Sequence, residues 1–239
     1  RWEWHPCPCC PPMFLKLVSA LPGFIYSYGS DNLYVNLFIG SSTDITMADG
    51  ISVGLAQQTG YPWKGDIVLQ VEPEKEQKFA INIRIPGWAR EVENPYGLYS
   101  SDLQSSVSLS VNGKPQKLNI VDGYARISRK WKKGDRIMLS LPVQPRIITA
   151  DENVESLRDM ISIASGPVVY CIEEADNPDL DGLKLDKLSA FEATYAEDIL
   201  GGVNFIKGIG SGQVEFIAVP YYAVGNRQPG GYKVWLPVK

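Results

Sequence analysis

Phe79-Ala-Ile-Asn-Ile-Arg-Ile85 sets Phe79, Ile81, Ile83 and Ile85 on one parity and Ala80, Asn82 and Arg84 on the other. A period of two belongs to a β-strand, whose successive side chains leave opposite faces of the sheet. The same alternation recurs on either side, in Leu33-Tyr-Val-Asn-Leu-Phe-Ile39, Ser52-Val-Gly-Leu-Ala56, Asp66-Ile-Val-Leu-Gln-Val71, Ser106-Val-Ser-Leu-Ser-Val111 and Arg136-Ile-Met-Leu-Ser-Leu141. Each is expected to bury one face and wet the other. Asn112-Gly113 is a hairpin dipeptide that tolerates positive φ, and Lys132-Lys-Gly-Asp135 reads as a loop of solvated charge. Six or more such strands imply an antiparallel sandwich or jelly roll. A second group follows Pro145, in Ile161-Ser-Ile-Ala164, Val168-Val-Tyr-Cys-Ile172, Val214-Glu-Phe-Ile-Ala-Val219 and Tyr232-Lys-Val-Trp-Leu236, and predicts a smaller sandwich. The acidic run from Glu173 to Lys187 is read as a solvated loop.

Helical periodicity is confined to the start. After Pro11 and Pro12, which suit a first helical turn, Phe14, Leu15, Leu17, Val18 and Leu21 form an apolar stripe that Pro22 and Gly23 end. So short a helix does not fold alone, so its stripe is expected to lie against something larger. The linear division is therefore 1–23 for the helical segment, 24–147 for a first β-sandwich and 148–239 for a second.

Composition narrows the function. The 239 residues are 44% hydrophobic and 21% charged, which is ordinary globular material. A net charge of −4 offers no basic footprint to nucleic acid. No apolar run approaches the roughly 20 residues that a membrane helix needs. The chain opens on Arg1 with no charged-then-apolar leader, as expected of a piece or a processed product, so compartment is left open. His5 is the only histidine, which excludes a three-histidine metal site within this chain. Gly208-Ile-Gly-Ser-Gly212 lacks the lysine of a phosphate loop and is read as a hairpin tip. Adjacent carboxylates, such as Glu173 with Glu174 or Glu197 with Asp198, point to opposite faces of a strand and cannot flank one bond.

The thiols remain. Cys7, Cys9 and Cys10 sit within four positions, and the one other cysteine is Cys171. Neighbouring Cys9 and Cys10 would make a very strained disulfide with each other, because the ring opposes the trans peptide. Two adjacent thiolates can instead share one zinc ion, at sulfur-metal distances of about 2.3 Å, with further ligands drawn from elsewhere. The plainer alternative is a set of reduced, partly buried side chains, or a crosslink from Cys7. Cys171, within a strand, is read as a buried structural thiol. Tyr61, Trp63, Trp88 and Trp131 lie beside Pro, Gly or Lys at strand ends, where aromatics plug sandwiches. Of these, Trp63 and Trp88 are also candidate carbohydrate contacts.

The order of motifs carries a resemblance. Cys9-Cys-Pro-Pro12 entering a helix and Leu21-Pro-Gly-Phe-Ile-Tyr26 begin it, and Leu33–Ile39, Thr59-Gly-Tyr-Pro-Trp63 and Arg84-Ile-Pro-Gly-Trp-Ala89 continue it. Val111-Asn-Gly113, Arg129-Lys-Trp-Lys-Lys-Gly-Asp135, Gly166-Pro-Val-Val-Tyr-Cys171, Asp176-Asn177, Pro220-Tyr-Tyr222 and Asn226-Arg227 complete it. Together they resemble glycoside hydrolase family 127, the β-L-arabinofuranosidase-type enzymes. The resemblance implies a retaining hydrolase with an (α/α)6 barrel followed by β-sandwiches, and zinc held by one Glu and three Cys. It makes Cys9 the nucleophile and a zinc ligand, Cys10 a second ligand, and residues 1–23 the end of the barrel. The family's Asn and Arg after the cysteine pair are here Met13 and Lys16. No ligand role passes to Cys7. The upstream Glu and Cys ligands, the acid/base Glu and most of the barrel have no counterpart in these residues, so the chain is expected to be inactive by itself. Its expected partners are the missing barrel, the parent's glycan substrate, and a second copy through the helix stripe. Two alternatives stand beside the enzyme: a carbohydrate-binding module, and a purely structural buttress.

Overall fold

The computed structural model describes residues 9–90, 96–103, 106–186 and 190–239. It is mainly β, with one helix of more than two turns, α1 (Cys10–Ala20), followed by the single turn α2 (Pro22–Ile25). Two compact units interleave along the chain. The first takes Arg1–Thr59, Ile67–Ile85 and Leu109–Met138, and the second takes Gly60–Asp66, Pro86–Ser108 and Leu139–Lys239.

Apart from a few strand-end residues, two sheets belong to the first unit. One runs, in spatial order, Tyr26–Tyr28, Asn32–Val35, Gln77–Arg84, Tyr124–Trp131, Ile120–Val121. The other runs Ser41–Thr46, Ser52–Thr59, Asp66–Pro73, Asp135–Ser140, Ser108–Val111, Lys114–Pro115. The expected alternation is clear in Ser52–Thr59 and Asp66–Pro73, whose inward Val53, Leu55, Ile67, Leu69 and Val71 are buried while their neighbours are not. Asn112 and Gly113 take positive φ at the hairpin between Ser108–Val111 and Lys114–Pro115, as that dipeptide predicts.

The stretch Phe79–Ile85 departs from its expectation. Residues Phe79–Ile83 are buried on both faces, including Ala80 and Asn82. Gln77–Arg84 is the central strand of its sheet, antiparallel to Tyr124–Trp131 on one side and parallel to Asn32–Val35 on the other. Asn82 is accommodated because its Nδ2 donates to the Leu33 carbonyl across that parallel pair, at 3.2 Å. The Lys132–Asp135 turn also differs. Its lysines are exposed, but Asp135 is only 1% exposed. Its carboxylate accepts from Asn112 Nδ2 at 2.7 Å and from the Lys132 backbone N–H at 3.1 Å, with Arg129 at 3.9 Å.

The second unit is built on one long sheet, in the order Phe191–Ala196, Val203–Ile209, Glu215–Pro220, Val168–Glu173, Met160–Ser165, Pro145–Ala150, Tyr99–Ser101. Tyr232–Lys233 and Trp235–Pro237 add to Val168–Glu173 and Met160–Ser165. Its core gathers Ile161, Ile163, Tyr170, Ile172, Ile206, Phe216 and Leu236 with Leu180, Leu183 and Leu185. Those three leucines correct the reading of Glu173–Lys187 as solvated. The segment points leucines into the core at every second or third position, and Glu173 and Asn177 are buried with it. Its acidic composition hid that spacing.

Candidate functional site

Cys9 and Cys10 stand at the start of α1. Cys9 is its N-cap, with helical dihedrals, and its carbonyl accepts from the Met13 N–H at 3.3 Å. Pro11 and Pro12 follow in the first turn, where a missing N–H costs little. Both thiols are exposed, and their sulfurs lie 3.9 Å apart. Two thiolates on one tetrahedral zinc at about 2.3 Å each would be separated by about 3.8 Å. The pair therefore fits two corners of such a site with almost no rearrangement. The remaining corners are not filled from nearby, because no group of three or more His, Cys, Asp or Glu is placed to hold a metal among the described residues. Cys7 and His5 lie outside the described residues. The helix bearing the pair has no buried residue, and Phe14 is 65% exposed and Leu17 57%.

The four aromatics fall into two kinds. Trp131 is fully buried, with its indole N–H donating to the Phe79 carbonyl at 3.1 Å. Trp88 is 8% exposed; its Nε1 donates to the Tyr61 hydroxyl at 3.3 Å, and the Arg146 guanidinium lies 5.4 Å from its ring centre. Tyr61 and Trp63 are half-buried, and the Trp63 carbonyl accepts from Asn204 Nδ2 at 3.2 Å. Cys171 is buried, and its thiol is pushed up to about 12 by burial and the nearby Glu173 charge, against the opposing effect of Arg227. A thiol so held is not a nucleophile at neutral pH.

Motif by motif, the sequence did not reveal a polar cluster in the second unit. Arg227 donates from Nη2 to Glu173 Oε2 at 2.6 Å and from Nη1 to Asp176 Oδ1 at 2.8 Å, with a further contact from Nη2 to Asp176 Oδ2. Glu173 Oε1 accepts from the Gly225 N–H at 2.7 Å. Asn177 donates to the Glu173 and Ile217 carbonyls and accepts from the Ile217 N–H at 2.9 Å. These bonds tie the segments after Glu173 and after Pro220 to the strands they leave. The signal lay in two dipeptides, Asp176-Asn177 and Asn226-Arg227, but nothing in the linear order pairs positions about fifty residues apart.

Comparison with known proteins gives two family matches in order along the chain. The family model described as β-L-arabinofuranosidase, GH127 middle domain, matches residues 32–143. The glycoside hydrolase family 127 C-terminal domain matches residues 145–237. A non-reducing end β-L-arabinofuranosidase of Bifidobacterium longum subsp. longum is 28% identical over 215 residues, covering 86% of this chain and 30% of that protein. A solved GH127 β-arabinofuranosidase superposes with a TM-score of 0.91 at 33% identity, over 100% of this chain and 40% of its own. A GH127 β-L-arabinofuranosidase from Geobacillus stearothermophilus T6 gives 0.88 at 33% identity, over 100% of this chain and 39% of its own. The chain thus spans well under half the length of these relatives. With both β domains matched in order, the chain belongs to glycoside hydrolase family 127, of which it carries the C-terminal portion.

Proposed function

We propose that this chain is the C-terminal part of a retaining glycoside hydrolase acting on β-L-arabinofuranosides or related glycans, with Cys9 as its nucleophile. The observation that supports it is the exposed pair of vicinal thiols, 3.9 Å apart at the head of a helix that buries nothing. Residues 1–23 then close a helical catalytic domain, and 24–147 and 148–239 form two β domains that follow it in sequence. Cys9 and Cys10 would hold zinc jointly with donors outside the described residues. The ion would supply positive charge that keeps a thiol deprotonated near neutral pH.

Within that frame Cys9 Sγ attacks the anomeric carbon. A carbon-sulfur bond forms as the glycosidic carbon-oxygen bond breaks, and the leaving oxygen takes a proton from an acid group beyond the described residues. Water then displaces the sulfur and loses its proton to the same group, so two inversions give net retention. Cys10, next in the chain and itself at the helix start, orients the pair. Pro11 and Pro12 stiffen the turn that aims both sulfurs outward.

The test is made on two proteins. The 239-residue chain alone is expected to show no turnover of an aryl β-L-arabinofuranoside, because it holds half of the site. The full-length protein is expected to turn over and to lose activity by at least about 1,000-fold with Cys9→Ser, while Cys10→Ser lowers zinc content as well as rate. Zinc-dependent hydrolysis by the isolated chain, or full activity of the Cys9→Ser protein, would overturn the proposal. A glycan contact at Trp63 is a second reading, favoured by its being only half-buried where Trp88 is buried. Loss of oligosaccharide binding with Trp63→Ala, and not with the buried Trp88→Ala, would support it.

A further inference from the structure

The Arg227 cluster carries an exposed aromatic surface. Pro220 ends a strand, and Tyr221–Ala223 forms a single 3-10 turn beside it. From there the chain runs through Gly225, Asn226 and Arg227 to Gly230 and Gly231, and re-enters the sheet at Tyr232. Every stage of this excursion is tied down. Gly225 N–H donates to Glu173, Arg227 to Glu173 and Asp176, Asn226 Nδ2 to the Ala223 carbonyl at 3.0 Å, and Gly231 N–H to Glu174 Oε2 at 2.9 Å. A loop so fixed should keep its side chains in one arrangement.

It holds tyrosines out to solvent. Tyr221 and Tyr232 are 45% and 46% exposed, with ring centres 5.9 Å apart and planes inclined at 45°. The two rings thus stand as one shallow V. Tyr222, next in the turn, is 60% exposed. The cations nearby are each held by carboxylates, Arg227 by Glu173 and Asp176 and Lys233 by Asp181 at 2.7 Å, and Glu174 adds a further carboxylate at Gly231. The surface therefore has exposed ring faces, and carboxylates outnumber cations around it. A nucleotide or an acidic peptide would find no cation to bind there. A neutral sugar ring would find a face for its C–H groups and hydroxyl partners for its edges.

We propose that Tyr221 and Tyr232, with Tyr222 at their flank, form a non-catalytic binding platform for a neutral oligosaccharide, separate from the thiol pair. It would hold glycan against the β portion of the protein whether or not the thiol chemistry assigned above is right. Tyrosine suits the purpose because it brings large contact area with few rotatable bonds.

The experiment titrates the 239-residue chain with a neutral arabino-oligosaccharide and, separately, a xylo-oligosaccharide, following the tyrosine ring resonances by NMR and the heat by calorimetry. Saturable binding is expected, with shifts at Tyr221 and Tyr232. Tyr221→Ala with Tyr232→Ala is expected to weaken it about tenfold or more, since each ring contact contributes a factor of a few. Tyr221→Phe with Tyr232→Phe retains the rings and is expected to keep most of the affinity, which also separates a lost platform from a misfolded loop. Cys9→Ser with Cys10→Ser is expected to leave binding unchanged. The proposal is overturned by absence of binding to both oligosaccharides, by binding indifferent to the alanine pair, or by binding that depends on the cysteines. Sedimentation supplies a further arm: a dimer that dissociates in the alanine pair would make this surface a contact between copies instead.

Discussion

Asp135 is the residue whose environment most contradicts its setting, a carboxylate in a Lys-Lys-Gly-Asp turn that is nevertheless buried. Burial works to raise its pKa, but hydrogen bonds from Asn112 and the Lys132 N–H and the charges of Arg129 and Lys132 outweigh it, leaving the group below the usual carboxylate range. A carboxyl depressed in the folded state adds stability that is complete above its unfolded pKa of about 4, and that is lost as pH falls through the folded value. Asp135→Asn is therefore expected to cost about 1–3 kcal/mol in urea unfolding at pH 7, with the gap to wild type narrowing below about pH 4. A gap that widened with acid would contradict the assignment. Cysteine reactivity gives a second check. Brief alkylation at neutral pH, read by peptide mass spectrometry, is expected to label Cys9 and Cys10 and to reach Cys171 only after unfolding, because that thiol is buried and pushed up to about 12. The burial of Cys171 was legible from its place in an apolar strand. That of Asp135 was not, since its partner Asn112 comes from another hairpin.

At the scale of elements, the Phe191–Gly208–Phe216 row shows how neighbouring strands decide a residue. These three positions face one another across adjacent strands, and the two rings meet 6.1 Å apart over the glycine. A Cβ on Gly208 would come within 2.5 Å of the Phe216 ring. Gly208→Ala is expected to destabilise by about 1–3 kcal/mol through overpacking, measured as a lower urea midpoint at unchanged slope. Phe191–Ala196 itself, like the polar Ser41–Thr46, was not legible as a strand, because edge strands that bury little show little alternation. Ser52–Thr59 and Asp66–Pro73 were, because each has one wet face. Helix α1 was legible from its stripe and its prolines, but its sequence could not tell that none of its side chains is buried by the described residues. Phe14→Glu with Leu17→Glu is expected to leave stability within about 0.5 kcal/mol and to reduce any self-association seen by sedimentation. A large loss of stability would mean that the helix packs on this chain after all.

For the whole molecule, the consequence is that metal and fold are expected to be uncoupled here. Two exposed thiols at the end of a helix with no buried face have no path by which a bound ion would brace the sheets. Zinc addition or chelation is expected to leave the melting temperature of the 239-residue chain unchanged, whereas a ligand binding the native state tightly would raise it. A rise of several degrees with zinc would point to further donors within the chain. The linear order of motifs placed the chain in its family, because turn residues, alternation and the Cys9-Cys10-Pro-Pro run are local and survive in a single string of letters. Strand alternation likewise established the β class, since a period of two follows from backbone geometry alone. Tertiary structure alone decided the parallel pairing beneath Asn82, the burial of Asp135, the inward turn of Leu180, Leu183 and Leu185, and the closure of Arg227 on Glu173 and Asp176. Each of these depends on desolvation balanced by a partner from a distant part of the chain, and that balance exists only once the strands have been brought together.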